Sequence, residues 1–319
     1  MRARPEVRWI EPPAASERRN LRAWRDAVGP PVCIWRGSAG PHEVDSLAII
    51  SWNVHVGGGD LVRFVEGLRA GRFTDGRPPR HFVLLLQEVH RRGIQTPAKS
   101  THVETPRRIE NSPPTGDRLD IVQVAEKLHL TLYYVPSMRN GPPGKGTTEE
   151  DRGNAILSTL PLSDPTAIEL PYELQRRVAV AASVRGRTSR GGLWQLRVCS
   201  AHLDGRSRWS RVFASFGAGR LRQARALVQS LPEMPAVLGG DFNTWSFSCM
   251  ETAISYIRKN FSGSSRMHTE PTMPTPFSPD RRLDYLFFKL PEGCSAHYRR
   301  LGDRLGSDHY PLLGWVRFD

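Results

Sequence analysis

The sequence predicts a mixed α/β domain, in which sheets of parallel and antiparallel strands carry helices on their outer faces. Three observations predict it. Short apolar runs of strand length recur from Leu47 to Phe318. Helical patterns join some of them and Gly-containing turns join others, which mixes parallel and antiparallel pairing. No linker divides the series into two self-sufficient halves, so residues 45–319 read as one domain behind an N-terminal extension, 1–44. A chain of 319 residues has ample apolar sequence for one large core.

The elements follow in order. The Pro- and Arg-rich extension holds one short helix, 17–28, which the Gly29-Pro30-Pro31 breaker ends. The run 47–54 is a buried strand closed by Gly57-Gly58-Gly59, and Asp60 can cap a helix over 61–69. Residues 82–87 form a second buried strand with Glu88 at its C-terminal end. Four prolines and no apolar periodicity make 91–116 an exposed loop. A helix over 119–128 leads to a strand at 130–135, and strands follow at 154–158, 177–184 and 193–201, the last two antiparallel through glycine turns. Residues 207–231 have helical spacing, with Gly217 and Gly219 as the place for a break. Strands at 236–240, 283–288 and 312–318 complete the series.

Composition excludes several classes. No run approaches the roughly 20 apolar residues of a membrane-spanning helix, so stable membrane insertion is not expected. The basic start is not followed by the apolar segment of a signal peptide, and the four cysteines are too far apart for a zinc or redox motif. A cytoplasmic protein with reduced thiols is the expectation, acting as a monomer. The net charge of +13 makes a polyanion such as nucleic acid a reasonable partner. Only five of the 45 basic residues are lysine, however, and an arginine bias of that kind also follows from a GC-rich coding sequence.

Polar residues able to bind metal or move protons recur at strand ends: Asn53, Glu88, His202, Asp241 with Asn243, Asp284, and Asp308 with His309. A layered scaffold converges such ends into one cleft. Singly, each has an ordinary structural reading. Asn53 could cap a turn, Glu88 could be a solvated strand end, His202 a core imidazole, and Asp241 plain turn chemistry.

Together, in order and spacing, the segments resemble the endonuclease/exonuclease/phosphatase superfamily of metal-dependent phosphoesterases. The matching pieces are Ser51-Trp52-Asn53-Val54, Leu86-Gln87-Glu88-Val89, Gly153-Asn154-Ala155-Ile156-Leu157-Ser158, Ala201-His202-Leu203-Asp204, Gly240-Asp241-Phe242-Asn243, Arg282-Leu283-Asp284-Tyr285 and Ser307-Asp308-His309-Tyr310-Pro311. The resemblance implies a four-layer αββα sandwich, two mixed sheets face to face with helices outside. It also implies in-line attack of water on phosphorus beside Mg²⁺ or Mn²⁺, with Glu88 as the dominant ligand, supported by Asn53 and Asp308. By the same resemblance Asp241 orients or deprotonates the water, while Asn243 positions the phosphate and fixes that carboxylate. His309, held by Asp284, forms a His/Asp pair, and His202 contacts the scissile phosphate or leaving oxygen. Asn154 either lines the cleft or starts a strand. Arg177 either binds phosphate or is a solvated strand start.

Two departures narrow the branch. His55 stands where apurinic-endonuclease relatives carry a carboxylate, and Ser307-Asp308-His309 replaces the Cys-Asp-Arg segment of inositol-phosphate 5-phosphatases. The expected function is a nuclease-like phosphodiesterase acting on DNA or RNA. The alternatives are a lipid or small-molecule phosphoesterase and, last, a catalytically dead binding module.

Overall fold

Alternation along the strands decides the architecture of the computed structural model, which describes residues 6–36, 40–93, 96, 118–140, 150–205, 217–244, 252–261, 270–276 and 281–318. One sheet runs in the order β13 (Ser295–Arg300), β14 (Leu312–Arg317), β4 (Ser46–Asn53), β5 (Phe82–Arg92), β7 (Glu150–Ser158), β6 (Thr131–Arg139), β2 (Val32–Ile34). The other runs β1 (Arg8–Ile10), β8 (Ser163–Glu169), β9 (Val178–Arg187), β10 (Leu193–His202), β11 (Ala236–Asp241), β12 (Asp284–Lys289), with β3 (His42–Glu43) also paired to β9.

Both faces of the central strands are apolar, so each strand feeds two cores. Leu47 and Ile49 of β4 enter a core between the sheets, while Ala48, Ile50 and Trp52 enter another beneath α2 (Leu61–Arg69) and α3 (Ile121–Lys127). In the opposite sheet Val198 and Val237 face the central core, while Cys199, Ala201 and Leu238 face a third under α4 (Ala218–Ser230) and α5 (Thr252–Asn260). Helix, sheet, sheet and helix therefore stack as a four-layer sandwich. Each fully buried Leu, Ile or Phe contributes about 1.5–3 kcal/mol, which makes these three cores the principal stabilising term. Local chemistry starts the helices: Asp60 accepts from the Arg63 N–H at 2.9 Å, and Asp120 with Gln123 forms a complete capping box at α3.

The central layer changes from apolar to polar at one end. In β4 the inward series runs Leu47, Ile49, Ser51, Asn53. In β10 it runs Val198, Ser200, His202, and in β11 Val237, Gly239, Asp241. In β12 the order reverses, Asp284 preceding Leu286 and Phe288, because that strand is antiparallel to β11, with Asp241 opposite Asp284. His202 lies opposite Asp241 across the parallel β10–β11 pair. Four sequence-distant strands thus deliver their polar ends to one place.

Several expected bounds shift. The strand expected to stop at 87 continues to Arg92, so Glu88 sits inside β5 and not at its end. It occupies a β-bulge, with φ 54, where register slips between Leu86 and Val89. The strand expected at 154–158 begins at Glu150, which puts Asn154 in mid-strand. The first helix is α1 (Ala15–Arg25), and α4 covers 218–230 of the segment expected to be helical. β8 and β13 were not expected. Pro165 in β8 argues against a strand from sequence, yet it is accommodated where the register of β8 shifts between Ser163 and Thr166.

The extension is built into both sheets. β1 pairs parallel with β8 at one edge, and β2 pairs antiparallel with β6 at an edge of the other sheet. Arg25 ties α1 to Glu169 at 2.8 Å, and the Gly29 N–H donates to the buried Asp151 carboxylate at 2.9 Å. The thiol of Cys199 is buried in the core. Among the described residues no helix is long and apolar enough to cross a membrane.

Candidate active site

Asp241 is the centre of the polar end. Its carboxylate is 2 % exposed and accepts from the Asn53 side-chain Nδ2 at 3.0 Å and from the Asn243 backbone N–H at 2.9 Å. The second bond exists because Asn243 adopts a left-handed φ of 50, which curls the turn back on the carboxylate. Around Asp241 Oδ2 stand His202 Nε2 at 3.5 Å and His309 Nε2 at 3.8 Å. Burial pushes Asp241 up to about 6; the His309 charge opposes the shift and Asp284 adds to it.

The two imidazoles are set to opposite charge states. Burial alone would lower His309, but Asp284, which accepts from Nδ1 at 2.8 Å, outweighs it with help from Asp241 and Asp308 and raises the ring to about 10. His309 is therefore an imidazolium near neutral pH. His202 is lowered well below its ordinary range, first by burial and then by the charges of Arg177, Arg152 and His309. Its tautomer follows from Asn243, whose Nδ2 donates to Leu203 O at 2.9 Å and is also 2.9 Å from His202 Nε2. Nε2 must accept, so the ring proton is on Nδ1, facing Glu88 Oε1 at 3.9 Å.

The remaining residues divide into those the cleft gathers and those it does not. Glu88 reaches the same end of the central layer through its bulge, and Asp308 arrives on the loop before β14. That loop is pinned by Ser307 Oγ donating to Asn53 O at 2.7 Å and by Trp52 Nε1 donating to His309 O at 3.1 Å. Asn154 does not start a strand; it faces inward from mid-strand, and its Nδ2 donates to Val178 O of the facing sheet at 2.9 Å. Arg177 is not a solvated strand start: its side chain is 11 % exposed and pairs with Asp204 Oδ1 at 3.2 Å. The side chain of Asn243 does not fix Asp241; its backbone does, while the amide holds His202. Sequence reasoning missed Arg152, 6 % exposed, with Nη1 3.7 Å from Glu88 Oε2. Its position two residues before Asn154, on the same inward face of β7, was the available signal.

Oxygen donors suited to a divalent ion are present. Among the described residues Asp308 Oδ1 is buried without a hydrogen-bond partner, with the ring nitrogens His55 Nδ1 at 3.8 Å and His309 Nε2 at 3.9 Å beyond hydrogen-bond range. Among the described residues no donor comes within hydrogen-bond range of the Glu88 carboxylate either. Among the described residues Asn53 Oδ1 accepts only from the His55 N–H, at 3.0 Å, and keeps a lone pair. Asp241, Asp284 and His309 also bring ligand atoms within 4.8 Å of one another. That cluster is already closed by the His309–Asp284 bond, so it suits proton handling, whereas Glu88 and Asp308 suit an ion.

A profile of the Endonuclease/Exonuclease/phosphatase family matches residues 50–309, from within the Asn53 strand to His309 itself. The chain belongs to this family. Its members are divalent-metal-dependent hydrolases of phosphoester bonds, and this chain is such a phosphoesterase. Solved structures agree on the fold. A family protein from Beutenbergia cavernae is similar over 86 % of this chain and 72 % of its own, with 21 % identity and a TM-score of 0.57. One from Leptotrichia buccalis is similar over 86 % and 99 %, with 13 % identity and a TM-score of 0.53. One from Bacteroides thetaiotaomicron is similar over 88 % and 99 %, with 16 % identity and a TM-score of 0.50. No curated protein matches the sequence.

Proposed function

We propose that this family member is a Mg²⁺-dependent, nuclease-like phosphodiesterase in which Asp241 is the general base. The observation that carries the reading is the setting of Asp241: a carboxylate raised to about 6, oriented by Asn53 and Asn243, between a charged and a neutral imidazole. A base of that pKa is ionised at neutral pH and still able to hold a proton. Glu88 and Asp308, with the open lone pair of Asn53, would hold the ion, whose few-carboxylate oxygen set suits Mg²⁺. When bound, the ion supplies Lewis-acid neutralisation of phosphate charge.

The chain's own groups do the rest. Asp241 orients the attacking water and takes its proton. His309, kept charged by Asp284, stabilises negative charge developing on the phosphoryl oxygens. His202, neutral and fixed by Asn243, closes the cleft wall between Asp241 and Glu88. The net charge of +13 supports a polyanionic substrate. The test is a panel of single- and double-stranded DNA, RNA, a phosphomonoester and sphingomyelin with Mg²⁺, using Asp241→Asn as the blank. Cleavage of nucleic acid alone supports the reading, and turnover confined to the lipid or the monoester overturns it.

A further inference from the structure

Among the described residues, Arg152 is a buried cation with no carboxylate in hydrogen-bond range. Two bulges create its position: register slips between Leu86 and Val89 where β5 meets β7, and between Pro136 and Met138 where β6 meets β7. The first turns Glu88 inward opposite Asn154, and the second brings Met138 against Arg152, whose Nη2 approaches the thioether sulfur at 3.4 Å. Gly153 makes the second approach possible, since a Cβ there would lie 2.0 Å from Val135 O. A sulfur is a weak acceptor for a guanidinium. Among the described residues the nearest carboxylate is Glu88, at 3.7 Å, beyond hydrogen-bond range. The neighbouring buried arginines are better supplied: Arg91 bonds Asp151, Arg176 bonds Glu169 at 2.7 Å, and Arg177 pairs with Asp204 at 3.2 Å.

We propose that Arg152 binds a phosphoryl oxygen of the substrate and, through the Glu88 they would share, couples phosphate binding to ion binding. The inference rests on the phosphoesterase reading of Glu88 given above. Among the described residues Glu88 is the carboxylate nearest Arg152, so a divalent ion drawing on it leaves a guanidinium that is only 6 % exposed under-neutralised. An anionic phosphate group restores the balance through charge-assisted bonds to the guanidinium fork. Affinity for the two ligands must then rise together, each by the same factor.

The test is calorimetric titration of the whole chain with Mg²⁺, with inorganic phosphate, and with each in the presence of the other. In the wild type, each ligand tightens the other. Arg152→Met should tighten Mg²⁺ binding in the absence of phosphate by about threefold to tenfold, because a like charge is removed. The same variant should weaken phosphate binding in the presence of Mg²⁺ by about tenfold or more. Arg152→Lys keeps the charge and loses the fork, so Mg²⁺ affinity stays near wild type while phosphate affinity falls. That variant decides the matter if Arg152→Met does not fold. Unchanged phosphate affinity in Arg152→Lys, or weaker Mg²⁺ binding in Arg152→Met, overturns the proposal and leaves the phosphoesterase reading intact. Mg²⁺ binding that is indifferent to Glu88→Gln overturns both.

Discussion

Asp241 and His309 face each other at 3.8 Å, the carboxylate Oδ2 to the imidazole Nε2, while the other ring nitrogen is bonded to Asp284. One buried carboxylate thus titrates near 6 beside an imidazole that titrates near 10. If Asp241 must be ionised and His309 charged, turnover rises through about pH 6 and falls through about pH 10. Asp284→Asn removes the largest influence raising His309, so the alkaline limb should move toward neutrality while the acid limb remains. A pH–rate profile of kcat for both proteins checks it; an unmoved alkaline limb would assign that limb to another group.

The same shifts fix the sign of a stability change. His309 is raised above its ordinary 6.5, so its contribution is complete below about pH 6.5 and is lost as pH rises through about 10. Asp241 is raised above its ordinary 3.8, so its contribution is lost as pH rises through about 6. The Asp241 loss is complete near pH 6, so the fall in Tm expected between pH 7 and 10 comes from His309. The fall should be smaller in Asp284→Asn, read by calorimetric melts across that range.

Asp241→Asn and Glu88→Gln should separate by metal dependence although both residues are acids in one cleft. Both Asp241 oxygens accept from N–H donors, Asn53 Nδ2 and the Asn243 backbone, so an amide at 241 must turn its NH₂ toward one of them. Turnover should drop by about two or more orders of magnitude. Mg²⁺ affinity should change little. Glu88→Gln should instead raise the Mg²⁺ concentration needed for half-maximal rate. A Mg²⁺ titration of turnover, with circular dichroism as folding control, reads both. Near wild-type turnover in Asp241→Asn would move the water-activating role to His309 or His202.

How much of this was legible in sequence depends on what each residue needed. Asn53, His202, Asp241 and Asp284 lie on the inward face of regular strands, where period-2 alternation carries the apolar interior into polar ends, so pattern and motif agree. Glu88 was found by motif, but not its setting, because a bulge depends on the partner strand and the local run of residues does not show it. Arg152 was missed because a basic residue in a strand reads as solvated until both neighbouring strands are in place. Arg177 and Asn154 were ambiguous for the same reason: their partners, Asp204 and Val178 O, belong to distant chain or the facing sheet. The edge strands β1 and β2 are too short for periodicity to mark. Arg206, Arg208 and Arg211, arginines just beyond His202 in sequence that suit a polyanionic substrate, and most of 91–116 lie outside the described residues.

The bulge at Glu88 predicts a stability difference that contacts alone do not. A non-glycine residue at a left-handed φ of 54 carries strain, about 1–2 kcal/mol by chirality alone. Glycine escapes that strain at a cost of about 0.5–1 kcal/mol in unfolded-state entropy. Glu88→Gly should therefore melt at or above Glu88→Ala, although both lose the carboxylate. Thermal melts of the two variants check it, and a clearly lower Tm for the glycine variant would mean that the backbone strain is relieved elsewhere.

Asp151 gives the last prediction, because it joins the extension to the catalytic sheet. Its carboxylate is 0 % exposed and holds Arg91, the Tyr134 hydroxyl at 2.7 Å and the Gly29 N–H at 2.9 Å, while Arg91 Nη1 donates to Pro30 O at 2.6 Å. Among the described residues, the partners of this buried charge lie on the two strands beside β7, at Thr96 just beyond β5, whose Oγ1 donates at 3.4 Å, and in the chain between α1 and β2. Asp151→Asn leaves Arg91 buried and uncompensated, which should cost about 3–5 kcal/mol of stability. The loss should not be uniform. Gly29 and Pro30 lose their anchor, so amide exchange in β1, α1 and β2 should accelerate more than exchange in β10 and β11, whose pairing does not depend on Asp151. Hydrogen exchange of the variant under native conditions reads this directly. Uniform acceleration throughout the chain would mean that the extension and the sandwich unfold as one unit and that Asp151 is only one brace among many.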